Sequence, residues 1–113
     1  MFGSVSFDAM SSALDALSLR QRTIADNIAN IQTPGYQARR VQFEDALSRA
    51  VSRGSGDVDA TIGISVEPTR EDGNNVNLDT ETVSNIDTVL RYQLAERAID
   101  GKFKALRTAI GNA

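Results

Sequence analysis

Cysteine, histidine and tryptophan do not occur in this chain of 113 residues. Without cysteine and histidine, a disulfide framework, a Cys/His metal site and the nucleophilic pairs Ser-His and Cys-His are all excluded. Aromatic residues make up only 5% of the sequence, so few large side chains are available to build a dense independent core.

An excess of basic charge is also lacking. Lys and Arg number 12 against 15 Asp and Glu, which leaves a net charge of −3. A general nucleic-acid binder needs a basic face that neutralises phosphates. The adjacent Arg39 and Arg40 come nearest to such a patch, and two neighbouring arginines are usually solvated. We therefore expect no nucleic-acid partner.

Long apolar runs are absent as well. No run of about 18 apolar residues occurs, so no membrane span is expected. The start, MFGSVSFDAM, lacks the basic region and the long apolar region of a secretory signal.

What the chain does contain is an apolar heptad pattern near its N-terminus. Residues 7–31 include no Gly or Pro, and two sets of mostly apolar residues recur there at intervals of seven, which is typical of a helix with one apolar stripe. Ser6 is the predicted N-cap. The residues of this stripe are Phe7, Met10, Leu14, Leu17, Ile24, Ile28 and Ile31.

A second long helix is predicted near the C-terminus. Asp79 is its predicted N-cap, with Leu78 and Val83 as a hydrophobic staple. Gly101 lies inside this helix and costs about 1 kcal/mol relative to Ala. The apolar residues, interpreted as one stripe that drifts around the axis, are Val83, Ile86, Leu90, Leu94, Ile99, Phe103, Leu106 and Ile110.

The segment between the helices has a different pattern. Residues 41–51 have the spacing of a short helix, residues 52–60 have the composition of a flexible loop, and residues 61–68 alternate like a short strand that ends at Pro68. We predict a mainly α chain in three parts, namely an N-terminal helix at 1–32, a corner and short irregular middle at 33–78, and a C-terminal helix at 79–113.

The two long helices are expected to pair as an antiparallel coiled coil. Two helices alone leave apolar surface exposed. Either the helices stay partly disordered in the monomer, or they bury that surface against other subunits.

A corner ends the first helix. Thr33-Pro34-Gly35-Tyr36 fits a type II turn, in which Pro34 presets φ and Gly35 supplies the positive φ. Asn27 precedes it; asparagines near a helix C-terminus bond free carbonyls or the backbone of a crossing chain. The Thr-Pro-Gly turn alone would indicate one more helix stop.

The combination is more specific, because DNIANIQTPGYQARRVQFEDAL resembles the N-terminal signature of the flagellar axial proteins, the rod and hook family of bacteria. Residues 72–81 (DGNNVNLDTE), residues 90–95 (LRYQLA) and the short length are similar to the short members of that family. The matching residues, which the resemblance marks as an assembly motif, are Asn27, Asn30, Thr33, Pro34, Gly35 and Tyr36.

This resemblance implies a structural subunit of the proximal rod of the flagellar basal body, which self-assembles through its terminal helices and helps to form the drive shaft that transmits motor torque. The implied partners are copies of itself, the other rod subunits, the rod adaptor protein and MS ring at the base, and the flagellar export apparatus. The implied location is the periplasmic rod, reached by export without a cleaved signal peptide.

Two hypotheses stand beside this one. The heptads alone equally support a soluble coiled-coil adaptor or a secretion-chaperone-like protein that binds a partner helix. The family resemblance also fits the other short subunit of the proximal rod.

An enzyme is disfavoured. The acidic residues Asp57, Asp59, Glu71 and Asp72 lie in solvated loops, without a suitably spaced Lys or Tyr or an apolar pocket that would shift a pKa. The Asp57-x-Asp59 pair also falls short of a calcium loop. We expect no catalytic residue, no metal and no cofactor.

Overall fold

Two long helices dominate the fold, which the computed structural model describes for residues 2–111, with side chains from residue 5 onward. The elements in chain order are α1 (Phe2–Ala29), β1 (Arg39–Gln42), α2 (Glu44–Ser52), β2 (Thr61–Ile64) and α3 (Leu78–Gly111). The molecule is elongated, with extents of 66 × 25 × 14 Å. Within the described residues, none of the helices combines the length and the apolar character that a membrane crossing requires.

α1 and α3 pack against each other in antiparallel directions, which confirms the predicted arrangement. Near one end of the pair the rings of Phe7 and Phe103 meet edge to face, with their centroids 5.3 Å apart. Near the other end Asn27 donates a hydrogen bond to Glu81 at 3.1 Å. Ser6 lies inside α1 instead of capping it, because the helix already begins at Phe2; the predicted N-cap is therefore wrong.

The start of α3 also differs from the prediction. The Asn77 side-chain oxygen accepts hydrogen bonds from the backbone N–H groups of Asp79 (3.0 Å) and Thr80 (3.2 Å), so Asn77 is the N-cap. Asp79 lies two residues further on, in the first turn of α3, where the helix dipole favours an acidic residue. Leu78 and Val83 are more than half exposed and form no buried staple. Asn and Asp cap about equally well, so sequence preference could not choose between positions 77 and 79.

A two-stranded antiparallel sheet and a short helix form the middle. Arg39 pairs with Ile64 and Gln42 with Thr61 across the sheet. The predicted strand is confirmed as β2, which ends at Ile64 and not at Pro68. The predicted short helix is confirmed as α2, which begins at Glu44 because Val41 and Gln42 belong to β1. β1 was not predicted as a strand, because it is short and polar. The side chains of Ile62 and Ile64 are exposed, and Gly63 between them is partly buried.

A small core joins α1 to β1. It consists of Ala16 and Leu17 from α1 together with Val41 and Phe43, all buried. The Arg20 guanidinium covers the Phe43 ring at 4.9 Å.

Arg20 also ties α1 to the first turn of α2. It donates hydrogen bonds to both carboxylate oxygens of Glu44, at 2.7 and 2.8 Å. These hydrogen bonds lower the pKa of Glu44 despite its partial burial. A bidentate pair of this kind fixes orientation as well as adding stability.

The segment 53–60 packs on α1 through Gly56. The Ser12 hydroxyl donates to the Gly56 carbonyl at 2.7 Å and accepts the Val58 N–H at 3.2 Å. A Cβ at position 56 would lie 2.4 Å from both Ala9 N and Val5 O. Sequence composition indicated a flexible loop here. Composition could not reveal the close approach to α1, because that contact depends on a residue more than 40 positions away.

Gly56→Ala is expected to lower the free energy of unfolding by about 1–3 kcal/mol, because the added methyl group must push two backbones apart. Gly63→Ala is the matched control, since a Cβ at Gly63 meets nothing within 4 Å. Urea denaturation of the two variants measures the difference. Equal midpoints would show that the loop yields without cost.

Candidate assembly site

The corner after α1 is closed by a backbone turn. The Tyr36 N–H donates to the Thr33 carbonyl at 3.2 Å, and Gly35 has a φ of 75°. Both features agree with the predicted type II turn, in which only the second central residue needs a positive φ. The Gly35 N–H donates to the Asp72 carbonyl at 2.8 Å, so the turn is held from outside by the segment that precedes α3.

Asn30 satisfies the end of α1. Its side-chain amide donates to the Asp26 carbonyl at 2.8 Å, and its oxygen accepts the Thr33 hydroxyl at 3.0 Å. The Asp26 carbonyl, in the last turn of the helix, also accepts the Asn30 backbone N–H at 3.1 Å. The expectation that an asparagine here bonds a free carbonyl is therefore wrong for Asn30, whose side chain adds a second hydrogen bond to a carbonyl that already has a backbone partner.

Gly35→Val is expected to destabilise the protein by about 1–3 kcal/mol, because a β-branched residue is strained at this φ. A Cβ at Gly35 meets nothing within 4 Å, so crowding contributes no part of the effect. Gly35→Asn is the matched variant, since asparagine tolerates positive φ better. Thermal unfolding and a swimming assay should both rank the variants as glycine, asparagine, valine. A valine variant as stable as the parent would contradict this account of the turn.

Asn27 is fully buried where α1, β1 and α3 meet. Its side-chain nitrogen donates to the Arg39 carbonyl at 2.9 Å and to Glu81 Oε1 at 3.1 Å. Its oxygen accepts the Arg39 N–H at 3.0 Å and the Tyr36 hydroxyl at 3.2 Å. The Asn27 side chain thus donates two hydrogen bonds and accepts two, which is the full capacity of a primary amide. These hydrogen bonds stabilise a residue type that has poor helix propensity.

Glu81 is the acidic centre of this junction and is fully buried. Arg40 Nη1 lies 2.5 Å from Glu81 Oε1, while Arg40 Nη2 lies 3.9 Å from Glu67 Oε2, too far for a hydrogen bond. Among the described residues, no hydrogen-bond partner reaches Glu81 Oε2. The expectation that Arg40 is solvated is therefore wrong, because this guanidinium neutralises a carboxylate that α3 carries into the interior.

Two further asparagines hold the segment that leads into α3. Asn74 donates to the Asn30 and Thr33 carbonyls, both at 2.8 Å, and so satisfies carbonyls just past the end of α1. Asn75 accepts the Ala38 N–H at 2.6 Å and donates to the Ser65 carbonyl at 3.2 Å. In the sequence this segment contributes only to the family resemblance, and no local pattern indicates the contacts of Asn74 and Asn75. We call Asn27, Arg40, Asn74, Asn75 and Glu81 together the corner network.

The chemistry of the corner network is hydrogen bonding to backbone and one buried ion pair. Among residues 5–111, no group of three or more His, Cys, Asp or Glu side chains is placed to hold a metal ion. What the arrangement does is geometric. It fixes the direction in which the chain leaves α1 and the register at which α3 returns along it.

The apolar residues of α1 face different surroundings along the helix. Leu17 and Ile24 are buried, Phe7, Met10 and Leu14 are partly buried, and Ile28 is exposed. Ile31 lies past the end of α1, in the turn, and is partly buried. Over most of its length, the first stripe therefore packs against other parts of the same chain.

The apolar residues of α3 do not form one drifting stripe. Val83, Ile86, Leu90 and Leu94, which we call the outer stripe, are exposed by 56–69%. Ile99, Phe103, Leu106 and Ile110 lie about half a turn away at about 100° per residue. They share the side of buried Glu81 and Thr88, where Phe103 meets α1, although Leu106 and Ile110 near the helix end are exposed. The predicted single stripe is corrected to two groups on opposite sides.

Comparison with known proteins agrees with the assembly motif at the corner, which we call the corner motif (Asn27, Asn30, Thr33, Pro34, Gly35 and Tyr36). A family model described as "Flagella basal body rod protein" matches residues 7–37. The chain is 30% identical to the flagellar basal body rod protein FlgB of Bacillus subtilis, over 89% of each chain. It is 31% identical to FlgB of Escherichia coli over 87% of each chain.

A third relative extends the similarity to almost the full length. FlgB of Borrelia hermsii is 32% identical, with 94% of this chain and 96% of the relative covered. The similarity thus includes both long helices as well as the corner. This chain belongs to the FlgB family of flagellar basal body rod proteins.

Proposed function

We propose that the chain is a structural subunit of the proximal rod, which assembles through its terminal helices into the drive shaft that transmits motor torque. Its neighbours in that role are copies of itself, the other rod subunits, and the rod adaptor protein and MS ring at the base. The flagellar export apparatus delivers it to the periplasmic rod without removing a signal peptide. The corner motif acts as an assembly motif by setting how α1 and α3 are presented.

The observation that carries this proposal is the exposure of the outer stripe. Four large aliphatic side chains in a row, each more than half exposed, leave a continuous apolar strip on α3. Burying such side chains is worth about 1.5–3 kcal/mol each when it is complete. Soluble monomers rarely leave an apolar strip of this kind exposed to water. The strip therefore favours contact with a protein partner.

The corner network supports the mechanical part of the proposal. A shaft subunit must keep the angle between its helices under load. Buried amide and ion-pair contacts join α1, β1 and α3 in a single polar cluster. Such a cluster has well-defined hydrogen-bond directions, and a change of helix register would leave several buried groups without partners.

Isolation of basal bodies tests the proposal. A deletion strain should be non-motile and should regain swimming when the chain is supplied with a small epitope tag. The tagged chain should then co-purify with basal bodies after detergent extraction. Recovery of the chain only in the soluble fraction, with normal motility in the deletion strain, would rule out the rod and favour an adaptor that binds a partner helix.

A further inference from the structure

One face of α3 carries residues whose spacing is the same when it is read from either end and whose side chains are complementary in the two directions. It is directed away from α1 and includes most of the outer stripe. At about 100° per residue, its members lie within about 40° of Val83 around the helix axis. We call this the outer face; its residues are Val83, Asp87, Leu90, Leu94, Arg97 and Gly101.

The pattern is self-complementary about position 92. If a second α3 lies antiparallel with its centre at that position, Leu90 of one copy is opposite Leu94 of the other. Asp87 is opposite Arg97, and each of these contacts occurs twice by symmetry. Apolar residues thus meet apolar residues, and acidic residues meet basic ones, at the alternating three- and four-residue spacing of an antiparallel coiled coil.

Gly101 is the second observation. A glycine inside a helix costs about 1 kcal/mol relative to alanine, yet a Cβ at this position would meet nothing within 4 Å. Contacts within the described chain therefore do not require a glycine here. In the antiparallel arrangement Gly101 is opposite Val83 of the second copy, where a missing side chain leaves room for a branched one.

We propose that two copies of this chain associate through their outer faces as an antiparallel, two-fold symmetric dimer. The three paired positions span about 27 Å of helix at 1.5 Å per residue. Such an interface is small, so the dimer is weak and depends on protein concentration. Asp87 already accepts a hydrogen bond from Arg91 of its own helix at 2.8 Å, which holds its carboxylate at the edge of the outer face.

The consequence concerns assembly, and this part rests on the function proposed above. A two-fold interface closes on itself and cannot extend into a filament. The dimer covers the outer stripe while the chain is free and must dissociate before the stripe can be used in the rod. Association of free chains would thus oppose premature polymerisation.

Charge exchange tests the pairing. In sedimentation equilibrium the parent chain should dimerise, and Asp87→Arg or Arg97→Asp should weaken dimerisation by about tenfold or more, because like charges then face each other. The double variant with both changes should return to the parent affinity. Glu96→Arg is the matched control, since Glu96 is exposed but lies about 140° around the helix axis from Val83, and it should have no effect. Circular dichroism checks that each variant keeps its helices.

Cysteine cross-linking tests the orientation, since the chain contains no cysteine of its own. An equimolar mixture of Val83→Cys and Gly101→Cys single variants should oxidise mainly to the mixed disulfide dimer. A parallel pair would give the two homodimeric products instead, and that result would overturn the proposal. So would a parent chain that stays monomeric at all concentrations, or a double charge variant that does not regain affinity.

These results are independent of the rod assay. If the parent chain forms no dimer in vitro but is incorporated normally into basal bodies, only the dimer proposal is overturned. A dimer that forms as described, in a chain that is absent from basal bodies, would leave the interface standing and overturn the proposed function.

Discussion

Arg40→Met is expected to destabilise the protein by about 3–5 kcal/mol, because it leaves the Glu81 carboxylate buried without its cation. The free energy of unfolding of a small domain is about 5–15 kcal/mol, so a large part of the population could unfold. Urea denaturation followed by circular dichroism measures the loss. Arg39→Met provides the control, since Arg39 is the neighbouring residue of the same strand and is exposed.

A second variant separates the ion pair from general damage to the strand. When both partners of a buried pair become apolar, the cost is usually small or absent. The double variant Arg40→Met with Glu81→Leu should therefore recover most of the stability that Arg40→Met loses. If Arg40→Met matched Arg39→Met, or if the double variant were the less stable of the two, the ion pair would not be what holds α3 at the corner.

The fold was largely predictable because its main signals are local. Heptad spacing indicates the two long helices, and alternation indicates β2. The pair Pro34 and Gly35 marks the turn, since each residue restricts its own backbone. The same rules gave wrong details where two local choices have similar energies, as with Asn77 and Asp79 at the start of α3.

The corner network was not predictable from local pattern. Glu81 and Arg40 are 41 residues apart, and Asn27 and Glu81 are 54 residues apart. A buried acidic residue in a helix has the same local sequence signature as an exposed one, and only the antiparallel return of α3 brings it to its partners. A detectable signal was the heptad interval from Glu81 to Thr88, which marks a polar pair on one side of α3. Because both residues are polar, the apolar heptad pattern of α3 does not include them.

The distinction between inner and outer apolar residues leads to a second large effect. By heptad position alone, Leu17 and Leu90 both belong to stripes that a free monomer could leave in water, so an aspartate at either position should be tolerated before assembly. The structure separates them. Leu17 is 2% exposed in the core with Val41 and Phe43, whereas Leu90 is 60% exposed on α3.

Leu17→Asp should therefore unfold the monomer. Loss of the buried side chain alone costs about 2–5 kcal/mol, and a carboxylate without a partner in that core adds several more. Leu90→Asp should change the free energy of unfolding by less than about 0.5 kcal/mol, because the new charge stays in water. In the rod we expect Leu90→Asp to have a large effect, because burial against a neighbouring subunit would enclose the new charge.

A variant such as Leu90→Asp is thus expected to be folded, soluble and absent from isolated basal bodies, while Leu90→Met, which keeps an apolar side chain of similar volume, should be incorporated. Far-ultraviolet circular dichroism of the purified proteins and immunoblotting of basal bodies make the comparison. Folded Leu90→Asp found in basal bodies at the parent level would show that this face of α3 remains in water in the assembled rod. In that case the outer stripe could not be an assembly surface, and the contacts that build the rod would have to lie elsewhere on the chain.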